Sequence, residues 1–267
     1  MTQGGDCIAT GIMKAASAGR PALAAYVTAG FPSRAAFPAL LREVSAASDI
    51  LEVGIPFTDP MADGVTIQRA SRIALADGTT LSWTLQALAA AVPSLKAPVV
   101  VMSYLNPLLA YGFLRLARDA AAAGVSGFIV PDLPLEEQEQ FRPTIGASGL
   151  AFIQMVTPAT PPPRLEQIGA ESDGFVYAVT VTGTTGCALD APAGLTGYLE
   201  RVRAATTLPI LAGFGVRTRE DVAASVPPAD GVVVGSALIA AIERGESPAS
   251  FLAGLLGDPR RRAGARP

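Results

Sequence analysis

Gly231-Val232-Val233-Val234-Gly235-Ser236-Ala237-Leu238-Ile239-Ala240-Ala241-Ile242-Glu243 is a β-branched run that ends in glycine and passes at once into an alanine-rich helical stretch. A buried strand feeding directly into a helix has this pattern. The unit recurs along the chain. Strand candidates lie at 23–28, 50–54, 98–103, 127–130, 151–156, 174–180, 209–213 and 231–235. Helical stretches at 33–46, 81–91, 114–123, 136–147, 163–170, 195–204, 219–224 and 237–243 follow them. Such alternation signals a parallel sheet with crossover helices. Eight units in about 250 residues predict a closed (β/α)8 TIM barrel rather than an open doubly wound sheet. Residues 7–17 predict an extra N-terminal helix closing the barrel floor. No linker, charge run or composition shift divides the chain. The expectation is one barrel domain over 1–267, with 257–267, including Arg260, Arg261 and Arg262, a flexible basic tail. The connections 56–80 and 182–194 are unusually long. Long structureless loops in a compact domain are usually functional, and here they would sit on the C-terminal face, where barrels build active sites.

The balance of 20 Lys+Arg against 23 Asp+Glu, net charge -3, argues against nucleic-acid or anionic-membrane partners, which need a concentrated basic surface. At 50% hydrophobic residues the chain is too apolar for disorder. No apolar run reaches the roughly 18 residues of a membrane span, and no secretory signal is visible at the N-terminus. A soluble, cytoplasmic protein is expected. The histidine count is 0, which excludes Ser-His-Asp and Cys-His catalysis, HExxH zinc sites and any histidine base. Cys7 and Cys187 form no CxxC motif or zinc set and read as free thiols in a reducing compartment. No metal site is expected.

Acid–base chemistry must therefore come from Asp, Glu, Lys, Tyr or Cys. In the strand 50–54, alternation puts Ile50, Glu52 and Gly54 on the inner face and turns Leu51 and Val53 toward the helices. Burying the Glu52 carboxylate is expensive unless it is paired. No Lys or Arg stands near the C-terminal end of any strand candidate except Arg217, beyond the seventh. A desolvated carboxyl group with a raised pKa suits proton transfer near neutrality, which favours a catalytic Glu52 over a structural one. Asp59 and Asp63 follow in a Pro- and Gly-flanked loop, where turn capping is the competing reading. Asp132, directly after the fourth strand, reads equally as a helix N-cap. Gly213-Phe214-Gly215 and Gly235-Ser236-Ala237 end the last two strands, where backbone N–H groups and a helix N-terminus commonly cradle phosphate; Gly183 and Gly186 would complete the cradle. Together these residues suggest proton-transfer or carbon–carbon bond chemistry on a small phosphate ester.

The run Leu51-Glu52-Val53-Gly54-Ile55-Pro56-Phe57-Thr58-Asp59-Pro60-Met61-Ala62-Asp63-Gly64, with Thr66-Ile67-Gln68, resembles the signature of the tryptophan synthase alpha subunit family. Met102-Ser103-Tyr104-Leu105-Asn106-Pro107, Val130-Pro131-Asp132-Leu133-Pro134, Phe175-Val176-Tyr177, Gly213-Phe214-Gly215 and Val234-Gly235-Ser236-Ala237 match further, in the family's order. The resemblance implies a lyase of tryptophan biosynthesis that cleaves indole-3-glycerol phosphate by a retro-aldol reaction to indole and glyceraldehyde 3-phosphate. It implies Glu52 as the acid–base residue and Asp63 as the group beside the indole N–H. Tyr104, Asp132, Tyr177 and Thr185 would bind substrate, with Tyr26 a further aromatic of the pocket. Gly186, Gly215, Gly235 and Ser236 would hold the phosphate. It also implies a pyridoxal-phosphate-dependent beta subunit in an alpha2-beta2 complex, met by Asp59 and Pro60, and no cofactor in this chain.

The chain departs from the family pattern in places. Val181 stands where many members carry Arg, Thr184 replaces a common Val, Cys187-Ala188-Leu189-Asp190 continues the loop unusually, and Val65 stands where Pro is frequent. The altered loop after strand six admits a standalone indole-3-glycerol phosphate lyase of specialised metabolism as an alternative. A noncatalytic alpha-like regulator of a beta-type partner is a second alternative, against which the retention of both Glu52 and Asp63 argues.

Overall fold

The computed structural model describes residues 2–180, 192–213 and 215–257. Eight parallel strands, β1 (Ala22–Thr28), β2 (Ile50–Gly54), β3 (Val99–Met102), β4 (Val125–Ile129), β5 (Ala151–Val156), β6 (Val176–Val179), β7 (Ile210–Gly213) and β8 (Gly231–Val234), pair in sequence order, and β8 pairs with β1. The sheet is therefore a closed (β/α)8 barrel, as the strand–helix alternation requires.

Side-chain alternation divides the core in two. Leu51, Val53, Val99 and Val101 pack outward against the crossover helices, where Phe37, Leu41, Leu88 and Phe141 fill the layer. Ala24, Ile50, Val100, Ile129, Ile153 and Leu211 fill the lower barrel interior. The helix Gln3–Ser17 adds Ile8, Ile12 and Ala15 to that interior cluster and plugs its floor. Thr2 caps it by accepting the Gly5 N–H. Docking is backbone to backbone: the Gly4 N–H donates to the Gly149 carbonyl at 2.9 Å, and a Cβ on Gly4 would fall 1.8 Å from the Ser126 carbonyl oxygen.

Three sequence expectations need correction. The connection 56–80 is not structureless, because it contains the helix Val65–Ala76. Its start has no side-chain cap at Gly64, so the usual start signal is missing. The stretch 136–147 is not one helix but a single tight turn, Leu135–Glu137, and the short helix Phe141–Gly146. Gln138 breaks it by turning inward, where its amide pairs reciprocally with that of Gln154 at 3.0 and 3.2 Å. The helices Leu105–Tyr111 and Pro248–Leu256 were not anticipated; the first carries a proline in its first turn, which reads as a turn in sequence. The basic tail expected from residue 257 lies, from residue 258 on, outside the described residues.

Gly4→Ala should cost about 1–3 kcal/mol in urea unfolding, because the backbone it meets has nowhere to move. Gly197→Ala, in the helix Pro192–Ala205 with nothing within 4 Å of the new methyl, should stabilise by about 0.5–1 kcal/mol. Equal effects in the two variants would contradict this account of the floor.

Candidate active site

β2 carries Glu52 on the inner face, level with Tyr26 of β1 and Val100 of β3. The carboxyl is almost fully buried, with 2% of the residue exposed. Space above it depends on glycine. A Cβ on Gly54 would fall 2.1 Å from the Tyr26 hydroxyl, and one on Gly213 would fall 2.4 Å from the Tyr177 hydroxyl. The bare ends of β2 and β7 thus leave room for two tyrosine rings lying across them.

Asp63 reaches the same space from the loop after β2. That loop is pinned at several points. The Gln68 amide donates to the Asp63 carbonyl at 2.8 Å. The Tyr104 hydroxyl accepts the Ala62 N–H at 2.9 Å and stands beside the Asp63 carboxyl, which it favours in the ionised form. Phe57 packs on the Tyr104 ring with centroids 5.6 Å apart. Asp132 in turn accepts the Leu105 N–H at 2.9 Å and so fixes the start of the helix that follows Tyr104.

The result is a cavity at the C-terminal ends of the strands. It is lined by Glu52, Asp63, Tyr26 and Tyr177, by Gly215, Gly235 and Ser236, and by the apolar Ile67, Met102, Val216 and Val233. Gly215 adopts φ 84°, a left-handed conformation that favours glycine. Gly235 is the uncapped N-terminal residue of the helix Ser236–Glu243, whose first N–H groups are oriented for an anion.

No Lys or Arg is among the described residues lining the cavity. Burial, and secondarily the Asp63 charge, push the Glu52 carboxyl up to about 8. Burial pushes Asp63 up to about 6, held back by the Tyr104 hydrogen bond. Burial and the neighbouring carboxyls raise the hydroxyls of Tyr26 and Tyr177 well above the usual tyrosine range. Near neutrality the pair can hold one protonated and one ionised carboxyl group. A carboxyl group able to donate a proton and one able to stabilise positive charge thus face one cavity.

Of the residues singled out in sequence, Glu52, Asp63, Tyr177, Gly215, Gly235, Ser236 and Tyr26 line this cavity. Tyr104 stands behind Asp63 rather than on the wall. Asp132 does not line it and serves a backbone N–H instead, though of the neighbouring helix rather than its own. Asp59 is exposed and Pro60 half-buried at the rim. Thr185 and Gly186, with Val181, Gly183 and Cys187, lie outside the described residues. Met102 and Val233 were missed although period-2 alternation turns both inward, and Ile67 was missed because its helix was read as loop. Among the described residues, no group of three or more His, Cys, Asp or Glu is arranged to hold a metal ion. No helix described is long and apolar enough to cross a membrane.

A family profile described as Tryptophan synthase alpha chain matches residues 12–256. The chain belongs to the tryptophan synthase alpha chain family. It is 43% identical to the alpha chain of Nitratidesulfovibrio vulgaris (strain DP4) over 242 residues, 90% of this chain and 94% of that one. It is 45% identical to that of Chloroflexus aggregans, over 85% of this chain and 86% of the other. The fold superposes on a structure of Mycobacterium tuberculosis tryptophan synthase with a TM-score of 0.85 at 36% identity, covering 93% of this chain and 96% of that one. A tryptophan synthase alpha subunit from Legionella pneumophila gives 0.84 at 31% identity, covering 96% and 97%. The carbon–carbon lyase of tryptophan biosynthesis read from the strand-two signature is the activity of this family.

The raised Glu52 value makes a stability prediction with a definite sign. An unfolded glutamate titrates near about 4.3, so its folded-state stabilisation is present below that pH and is lost as pH rises through about 8. Glu52→Gln lacks this loss. The variant should match wild type in urea unfolding near pH 4 and exceed it by a few kcal/mol at pH 9. Parallel pH curves would contradict a desolvated Glu52.

Proposed function

We propose that this chain cleaves indole-3-glycerol phosphate to indole and glyceraldehyde 3-phosphate, with Glu52 as the general acid–base and Asp63 as the electrostatic partner of the indole N–H. The observation that carries this reading is the pair of carboxyls sharing one cavity, with no Lys or Arg among its described lining residues, with a glycine-lined helix N-terminus. Protonated Glu52 delivers its proton to indole C3, which places positive charge on the ring nitrogen. Ionised Asp63 stabilises that charge where it forms. Glu52, now ionised, takes the proton of the glycerol hydroxyl next to the ring. The oxygen lone pair forms the aldehyde carbonyl, the carbon–carbon bond breaks, and its electrons restore the indole. Glu52 ends protonated, so the cycle closes without an external acid.

Tyr177 and Tyr26 flank the indole, and Tyr104 orients Asp63 through its hydroxyl. Gly215, Gly235 and Ser236 hold the phosphate through backbone N–H groups, joined by Gly186 of the loop after β6, and Thr185 of that loop binds the substrate. Asp132 acts on the substrate at one remove, through the helix start beside Tyr104. The chain itself takes no cofactor. Pyridoxal phosphate belongs to a beta subunit that docks on the rim around Asp59 and Pro60 in an alpha2-beta2 complex. Met61 and Val65, 76% and 74% exposed beside them, supply apolar surface for that contact. A cytoplasmic location follows, since a phosphorylated substrate and product do not cross membranes unaided.

Purified chain should release indole from indole-3-glycerol phosphate slowly, and faster with a tryptophan synthase beta subunit. Fast release unaffected by the partner would mark a standalone lyase, and none in either condition would leave the regulator reading. Glu52→Gln should cut turnover by orders of magnitude with the fold intact, and near-wild-type turnover would remove Glu52 from the mechanism.

Turnover needs Asp63 ionised and Glu52 protonated. The kcat/KM profile should therefore rise through about 6 and fall through about 8, as apparent values of the coupled pair. A rate still climbing at pH 9 would contradict Glu52 as the acid.

A further inference from the structure

The helices Val65–Ala76 and Ser236–Glu243 pack against each other and against β1. Ile67 and Ala70 of the first meet Ile239 of the second over Tyr26 and Phe31. The first helix begins directly after Asp63 and Gly64, and the second begins at the Gly235–Ser236 anion end. The seam between them therefore joins the segment that carries Asp63 to the Gly235–Ser236 turn, and both line the cavity. Apolar packing is non-directional and does not by itself set how one helix is placed along the other.

Arg69 supplies the missing direction. Its Nε donates to Glu243 Oε1 at 2.8 Å, and its Nη2 donates to Oε2 of the same carboxylate. A planar two-point fork fixes both separation and rotation. The side chains are 47% and 24% exposed, so the pair contributes little to global stability. Arg69 holds the Glu243 carboxyl below the usual range, so the fork stays charged at neutral pH.

We propose that Arg69 and Glu243 are positioning residues, a clasp that couples occupation of the Gly235–Ser236 anion end to placement of the Asp63 carboxyl. Filling that end orders the helix Ser236–Glu243. The fork carries the order across the seam to the helix Val65–Ala76 and to the loop preceding it. The kinetic part of this inference rests on the lyase reading above, and the coupling itself does not.

Two measurements test it. In the first, indole release is followed for Arg69→Gln, Arg69→Glu, Glu243→Arg and the charge-swapped double variant Arg69→Glu/Glu243→Arg. The single variants should lower kcat about tenfold with a smaller change in KM and little change in Tm, because a misplaced carboxyl costs rate more than binding. The double variant should return kcat to within about twofold of wild type. Single variants with wild-type kcat, or a double variant no better than the singles, would overturn the clasp.

In the second, hydrogen exchange of residues 56–64 is measured with and without inorganic phosphate. Phosphate should slow exchange in wild type and clearly less in Arg69→Gln. Equal slowing in both, or none in wild type, would overturn the coupling. A wild-type chain that releases no indole yet shows Arg69-dependent protection would overturn the lyase reading while leaving the clasp standing.

Discussion

A carboxyl group held inside a barrel without a cation is the constraint on which the upper half of this molecule is organised. Glu52 cannot be offset by Lys or Arg, since none lines its cavity among the described residues, so it stays protonated well beyond the pH at which a free glutamate ionises. Asp63 approaches the same space but keeps contact with a hydroxyl donor, which separates the two titrations. Two identical functional groups thereby acquire different protonation at one pH, and the difference comes from burial and one hydrogen bond.

Keeping the space open around these groups costs packing that the fold recovers elsewhere. The floor is filled by the helix Gln3–Ser17 and by aliphatic layers from the strands, so the barrel is closed and dense below. Above, glycine at the ends of β2 and β7 makes way for Tyr26 and Tyr177. Dense apolar packing fills the floor and the outer helix layer, and the candidate site lies at the C-terminal face, where barrels generally build theirs.

The loops of that face are held by short-range polar contacts. Gln154 of β5 pairs with Gln138, whose amide also donates to the Leu133 carbonyl. Asp132, next in the same loop, fixes the helix start beside Tyr104, and Tyr104 fixes Ala62 and Asp63. Asp63 is thus positioned through residues of two other loops, those after β3 and β4, which are distant from it in sequence. The clasp between Arg69 and Glu243 extends the same principle to the helices that follow Asp63 and Gly235.

Much of this protein was determined by sequence alone. Period-2 and helical patterning give eight strand–helix units, and the bounds of β2 and β5 coincide with their patterns. Alternation alone turned Glu52 inward, the absence of histidine restricted the chemistry to carboxyls, and the strand-two signature identified the family. These are local properties, readable because a strand's two faces meet different surroundings. The tertiary structure decided the rest. The role of Asp132 as a cap for a neighbouring helix, the place of Tyr104 behind Asp63, and the break at Gln138 depend on partners 27, 42 and 16 residues away. Hydrogen-bond partners at that separation leave no periodic trace in the chain. Only folding brings them to within about 3 Å, where directional interactions act.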